Sequence, residues 1–141
     1  MPIELHNPYK IVRMFEEEIA NYTGAPYAVS VDSCTIIHAG GEVIFDKRSY
    51  VNDWKGMYQL KPYPIWDAAK RLTKGMYKKG QTMCLSFHIK KLLPIWKGGM
   101  ILTDDEKAVE WYKKARYEGR SEKYYKDDDI TFNGWNMYMT P

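Results

Sequence analysis

The sequence predicts an α/β domain, a mixed sheet flanked by helices, and three observations lead there. Apolar residues recur at helical spacing near both ends of the chain, at Ile11, Phe15 and Ile19 and again around Val109 and Tyr112. Between them lie short apolar runs of strand length, AVSV, EVIFD, MCLSF and GMILT. Helix and strand signals alternate along the chain, as in α/β architectures. With 141 residues, 45% of them apolar, residues 1–141 make one domain able to bury a core without disulfides or metal.

Taken in order, PYKIVRMFEEEIANYTG reads as a helix that starts at Asn7-Pro8 and terminates at Gly24. PYAVSVDSCT reads as a buried strand ending in the small polar loop Asp32-Ser33-Cys34-Thr35. EVIFD, Glu42 to Asp46, is a second strand. Arg48 to Pro64 has no clear period and is expected to be mostly loop. Pro64 makes Ile65-Trp66 extended, and DAAKRLTKGMY is expected to be helical, with the Asp67 carboxylate at the favourable end of the helix dipole. MCLSF and GGMILT give two further strands, and the second runs into a helix capped by Thr103 or Asp104 and ending near Gly119. The remaining segment, SEKYYKDDDITFNGWNMYMTP, is a charged loop followed by an aromatic stretch.

Composition narrows the partners. Twenty-one basic residues against 18 acidic ones leave a net charge of +3, too small to mark a nucleic-acid binder. No apolar run is long enough to span a membrane, and the start MPIELHNPYK lacks the regions of a signal peptide, so a cytoplasmic location is expected. Cys34 and Cys84, the two cysteines, form no CxxC pattern and are expected to be reduced thiols. His6, His38 and His88 are too dispersed for a metal site. The twelve tyrosines and five tryptophans suit a core and an interface, or a stacking platform for carbohydrate or single-stranded nucleic acid.

One cluster carries chemistry. Alternation along MCLSFH places Cys84, Ser86 and His88 on one face and Leu85 and Phe87 on the other. Polar groups thus collect at the carboxyl end of that strand, where open α/β sheets bind ligands. Lys90 and Lys91 follow beside Leu92, Leu93, Pro94, Ile95 and Trp96. Apolar neighbours of this kind make an amine a better nucleophile, whereas adjacent lysines are also common in solvated turns.

SFHIKKLLPIWKGGMILTDD resembles the cofactor-lysine segment of the DegT/DnrJ/StrS family of fold-type I, pyridoxal-phosphate-dependent sugar aminotransferases, in which Ser-Phe-His-x-x-Lys precedes Gly-Gly and an apolar strand. PIWDAAKRLTKGMY resembles the family's Glu-Asp-Ala-Ala segment, FEEEIANYTGAPYAVSVDSCT its opening helix, strand and phosphate loop, and FNGWNMYMTP its Gly-x-Asn-x-Arg-Met-Thr segment. The resemblance implies a shortened fold-type I aminotransferase large domain without the small C-terminal domain. It implies pyridoxal 5'-phosphate as cofactor, held by Lys91 through a Schiff base, with Asp67 facing the ring nitrogen and Ser33, Thr35, Ser86 and His88 around the phosphate and ring. Asn136 would reach the phosphate of the neighbouring subunit in a homodimer, with Trp54, Tyr58, Trp135 and Tyr138 expected at the contact. The implied reaction moves an amino group from an amino acid, glutamate foremost, to a nucleotide-linked keto sugar.

Departures accompany the likeness. A complete member has additional segments after DSCT and before PIWDAA; Tyr50 is a weak match to the family's ring-stacking aromatic. Cys34 replaces the middle glycine of the phosphate loop, Lys70 a residue near the cofactor's phenolic oxygen, and Trp96-Lys97 a Gly-Glu pair. The rival expectations are a non-catalytic homologue that acts by association and a carbohydrate- or nucleic-acid-binding module.

Overall fold

A computed structural model of the chain describes residues 7–34 and 56–141. The expected strand EVIFD and the residues His6, Thr35, His38, Tyr50 and Trp54 lie outside the described residues.

Helix α1 spans Pro8–Thr23. Asn7 caps it by accepting the Tyr9 N–H, Pro8 occupies its first turn, and Gly24, at φ 78°, ends it by donating its N–H to the Ala20 carbonyl. The stripe at Ile11, Phe15 and Ile19 is offset from the face that is buried. Val12, Glu16, Ile19 and Thr23 are covered, whereas Ile11 is 54% exposed.

The strands are β1 (Tyr27–Val31), β2 (Tyr58–Gln59), β3 (Ile65–Asp67), β4 (Thr82–Ser86) and β5 (Gly99–Thr103). They form one sheet in the order β1-β5-β4-β3-β2, in which only β3 and β4 are parallel neighbours. Consequently β1, β3 and β4 point the same way and β5 runs against them. Alternation divides the sheet into two faces. Ala28, Met83, Leu85, Met100 and Leu102 join Ile19 of α1 in one core, and Val29, Val31 and Ile101 join Val109 and Ala115 of the second helix in another.

That second helix, α2, spans Glu106–Ala115. Its cap is Asp105, one residue beyond the expected position, accepting from the N–H groups of Lys107 and Ala108. Thr103 ends β5 and its hydroxyl accepts the Asp105 N–H. Lys113 and Lys114 sit in the last turn, where cations favour the helix dipole.

One expectation about the middle of the chain is corrected and another gains detail. DAAKRLTKGMY is not helical. Asp67 closes β3, and its Oδ1 accepts the Ala69 N–H, which starts a turn. Beyond it, the Gly75 and Tyr77 N–H groups donate to the carbonyls of Tyr22 and Thr23, so the last turn of α1 supplies partners that a helix would have found within itself. The stretch before Pro64 is not all loop either. Tyr58-Gln59 pairs antiparallel with Trp66-Asp67, closed by the Leu60 N–H donating to the Ile65 carbonyl.

A buried ion pair joins the layers at the β1 edge. The Arg116 guanidinium lies 2.5 Å from Glu16 Oε1 and 2.6 Å from the Ser30 carbonyl, and Glu16 accepts the Ser30 N–H at 2.8 Å. Ser30 lies on a strand that ends the described sheet, so its outward N–H and C=O are satisfied by side chains from both helical layers. The chain after α2 extends this cover: the Asp32 N–H donates to the Met137 carbonyl at 2.7 Å, and Met137 N–H to that of Arg116 at 2.9 Å.

Candidate functional site

Because β1, β3 and β4 run together, their carboxyl ends open on the same side of the sheet, and a cavity of about 320 Å³ lies there. That volume falls within the roughly 300–1,000 Å³ of small-molecule sites. The loop after β1 contributes Asp32, Ser33 and Cys34; β3 contributes Asp67; β4 contributes Cys84, Leu85 and Ser86, followed by His88; and Lys97 and Gly98 enter just before β5.

The Asp67 carboxylate is held at both oxygens. Its Oδ2 accepts the Tyr58 hydroxyl at 2.7 Å, and its Oδ1 accepts the Ala69 N–H at 2.9 Å. Tyr58, expected at a subunit contact, therefore serves within the chain as a clamp on this carboxylate. On β4, the Ser86 hydroxyl accepts the His88 N–H at 3.4 Å and His88 Nδ1 accepts the Lys90 N–H at 3.3 Å, which folds residues 88–91 into a turn. Lys97 Nζ pairs with Asp32 Oδ2 at 2.6 Å. Trp96 just before it has φ 73°, a left-handed conformation unusual for a large side chain, and it returns the chain to the cavity at Lys97.

Of the expected site residues, the structure brings together Ser33, Asp67, Ser86 and His88. Lys91 is half-buried on the turn after His88, its N–H donating to the His88 carbonyl, and it is not among the residues that line the cavity. Asn136 is exposed, with its backbone bridged to Tyr117, and is also outside the lining. Thr35 lies outside the described residues. Trp135 meets Trp111 edge-on at 6.4 Å, and Tyr138 lies under the Arg116 guanidinium at 4.5 Å. Lining residues to which sequence reasoning gave no role are Asp32 and Lys97, and Cys34 and Cys84 were placed near the site without one. The alternation of Cys84 with Ser86 and His88 was a signal for the thiol, whereas nothing local marked the return of Lys97.

The donor set fits most of a pyridoxal phosphate. A fixed carboxylate, Asp67, suits a ring nitrogen that carries a proton, and the Ser33 and Ser86 hydroxyls suit a phosphate. Lys97 is the amine in the lining, and Lys91 stands on the turn that follows β4 and His88. Among the described residues no group of His, Cys, Asp and Glu is arranged to hold a metal ion, and no helix is long and apolar enough to cross a membrane.

Comparison with known proteins bears on the fold and the family. The chain is structurally similar to Helicobacter pylori PseC, an aminotransferase involved in the biosynthesis of pseudoaminic acid, with a TM-score of 0.67 at 15% identity. The match covers 91% of this chain and 53% of PseC, so the chain spans about half the length of that protein. It shows the fold, that of a fold-type I aminotransferase, a mixed sheet flanked by helices. No curated protein matches the chain in sequence. The DegT/DnrJ/EryC1/StrS aminotransferase family model matches residues 68–141, more than half of the chain and the stretch that carries Ser86, His88 and Lys91. Motifs, fold and family match coincide, and the chain belongs to the DegT/DnrJ/EryC1/StrS aminotransferase family.

Proposed function

We propose that this chain binds pyridoxal 5'-phosphate in the cavity at the carboxyl ends of β1, β3 and β4 and takes part in amino transfer from an amino acid to a nucleotide-linked keto sugar. The observation that carries the reading is the convergence of Asp67, Ser33, Ser86 and His88 on one cavity, since these are positions the family assigns to its cofactor. When bound, the cofactor supplies an electron sink for charge that develops at the amino-acid Cα. The chain's own residues do the rest. Asp67, fixed by Tyr58 and Ala69, favours a proton on the ring nitrogen. Ser33 and Ser86 offer hydroxyl donors to the phosphate. Lys91, at the family's lysine position, holds the cofactor and exchanges the proton at the donor's Cα. Lys97, tethered to Asp32, places a second cation at the cavity for an anionic substituent of the ligand.

PseC supports an aminotransferase acting in sugar biosynthesis, and glutamate is the proposed donor. Asn136, exposed and outside its own cavity's lining, is proposed to complete the site of a second copy in a homodimer. The proposed setting is the cytoplasm. The test is to purify the chain with pyridoxal phosphate, record the visible absorption of lysine-bound cofactor, reduce with borohydride and map the labelled lysine. Label at Lys91 supports the reading; label at Lys97 moves the amine's role to that residue. A colourless protein, or label scattered over surface lysines, refutes cofactor binding. Conversion of the bound cofactor to its amine form by glutamate then separates an enzyme from a non-catalytic homologue.

A further inference from the structure

Cys34 and Cys84 are the chain's two cysteines, both are free, and both line the same cavity. Cys34 follows β1 and Cys84 lies on β4, and β5 lies between those two strands. The Cys34 thiol nevertheless reaches the backbone of β4 beside Cys84, and Gly99 is the reason. A Cβ at Gly99 would stand 2.7 Å from Cys34 Sγ, so the absent side chain leaves a channel through which Cys34 reaches across β5. There its Sγ donates to the carbonyl of Leu85, the residue next to Cys84, at 3.1 Å, and lies 3.8 Å from that of Met100. The Cys84 thiol also feels the Cys34 thiol electrostatically across this gap. Cys84 is 3% exposed, whereas Cys34 is half-buried, so a small reagent in the cavity meets Cys34 first.

We propose that Cys34 and Cys84 are a reversible dithiol–disulfide pair in the cavity wall, a modification site for peroxide-class oxidants. The Cys34 sulfur attacks a peroxide oxygen, the O–O bond breaks, and one water leaves as the sulfur becomes a sulfenic acid. The Cys84 sulfur then attacks the Cys34 sulfur, the S–O bond breaks, and a second water leaves. Two thiols lose two hydrogens and two electrons, and the peroxide gains them. A small dithiol reverses the bond by exchange. The cross-link ties the loop that carries Asp32 and Ser33 to β4, so the redox state of the pair sets the shape of the cavity. It acts whether or not a cofactor binds there.

The test treats the full chain with equimolar hydrogen peroxide, blocks remaining thiols with iodoacetamide after unfolding, and maps the peptides. The expected product is a monomer that has lost the mass of two hydrogens, with Cys34 joined to Cys84 and both thiols recovered by dithiothreitol. Phenylarsine oxide, which bridges paired thiols, should block both cysteines at one equivalent, and neither Cys34→Ser nor Cys84→Ser should retain it against a monothiol wash. Sulfinic acid on Cys34 with Cys84 still alkylated, or disulfides only between chains, would overturn the proposal. Failure of the arsenical to protect both cysteines would do the same.

Discussion

The two faces of the sheet use the same alternating strands for different ends. Under α1, Ala28, Met83, Leu85, Met100 and Leu102 make an apolar layer. On the α2 side, Val29, Val31 and Ile101 continue that logic only as far as Val109 and Ala115 cover them, and past the helix Cys34 and Cys84 take over beside the cavity. Residues adjacent in sequence on β4 therefore divide the work: both border the cavity, but Leu85 packs into the core under α1 whereas Cys84 does not. The lesson is that the site lies where helical cover stops, and that its floor is the back of a well-packed core.

Breaking the join between the two layers should have the largest effect. Arg116→Ala removes the cation that holds buried Glu16 and the outward carbonyl of Ser30. It leaves an uncompensated carboxylate at 6% exposure and is expected to cost about 3–5 kcal/mol in urea unfolding. A value under about 1 kcal/mol would mean that the two layers are held without this clamp.

The faces themselves are compared by truncating neighbours. Leu85→Ala, at 2% exposure in the α1 core, is expected to lose about 2–5 kcal/mol. Cys84→Ala removes one sulfur from a cavity wall that is already open and is expected to lose about 1 kcal/mol. Equal losses on chemical denaturation would erase the distinction between core and site. Gly99→Ala probes the same boundary from β5. Its Cβ would meet the Leu85 carbonyl at 2.8 Å as well as the Cys34 thiol, and backbone does not yield cheaply. A loss of about 1–3 kcal/mol is expected, together with faster alkylation of the displaced Cys34.

How much of this was legible in the sequence follows the range of the interactions. AVSV, MCLSF and GMILT announce themselves because buried strands are written in β-branched and apolar residues, a local property. The segment after Asp67 looks helical in composition, and only the Tyr22 and Thr23 carbonyls, some fifty residues upstream, decide otherwise. Two-residue β2 is too short to show any period. In the site, Asp67, Ser86 and His88 were legible because each ends or follows a strand with a readable motif. Lys97 reaches the cavity through a left-handed Trp96, and Cys34 reaches the Leu85 carbonyl beside Cys84 through the space at Gly99. Neither device has a signature in residue spacing.

The smallest effect tests the electrostatics of the cavity face alone. The neighbouring Cys34 thiol and burial together raise the Cys84 thiol well above its ordinary pKa, and the Asp67 carboxylate acts in the same direction. The folded chain thus keeps a proton that the unfolded chain releases at about pH 8.5. Below that value the two states bind it equally and the thiol leaves stability unchanged; as pH climbs past it, stability should fall, because unfolding then discharges the proton. Unfolding midpoints measured between neutral and alkaline pH should decline in the wild type and decline less in Cys84→Ala, whereas Leu85→Ala, on the other face, should keep the wild-type slope. Parallel slopes for wild type and Cys84→Ala would place the alkaline loss on the tyrosines of the chain instead of on the floor of the site.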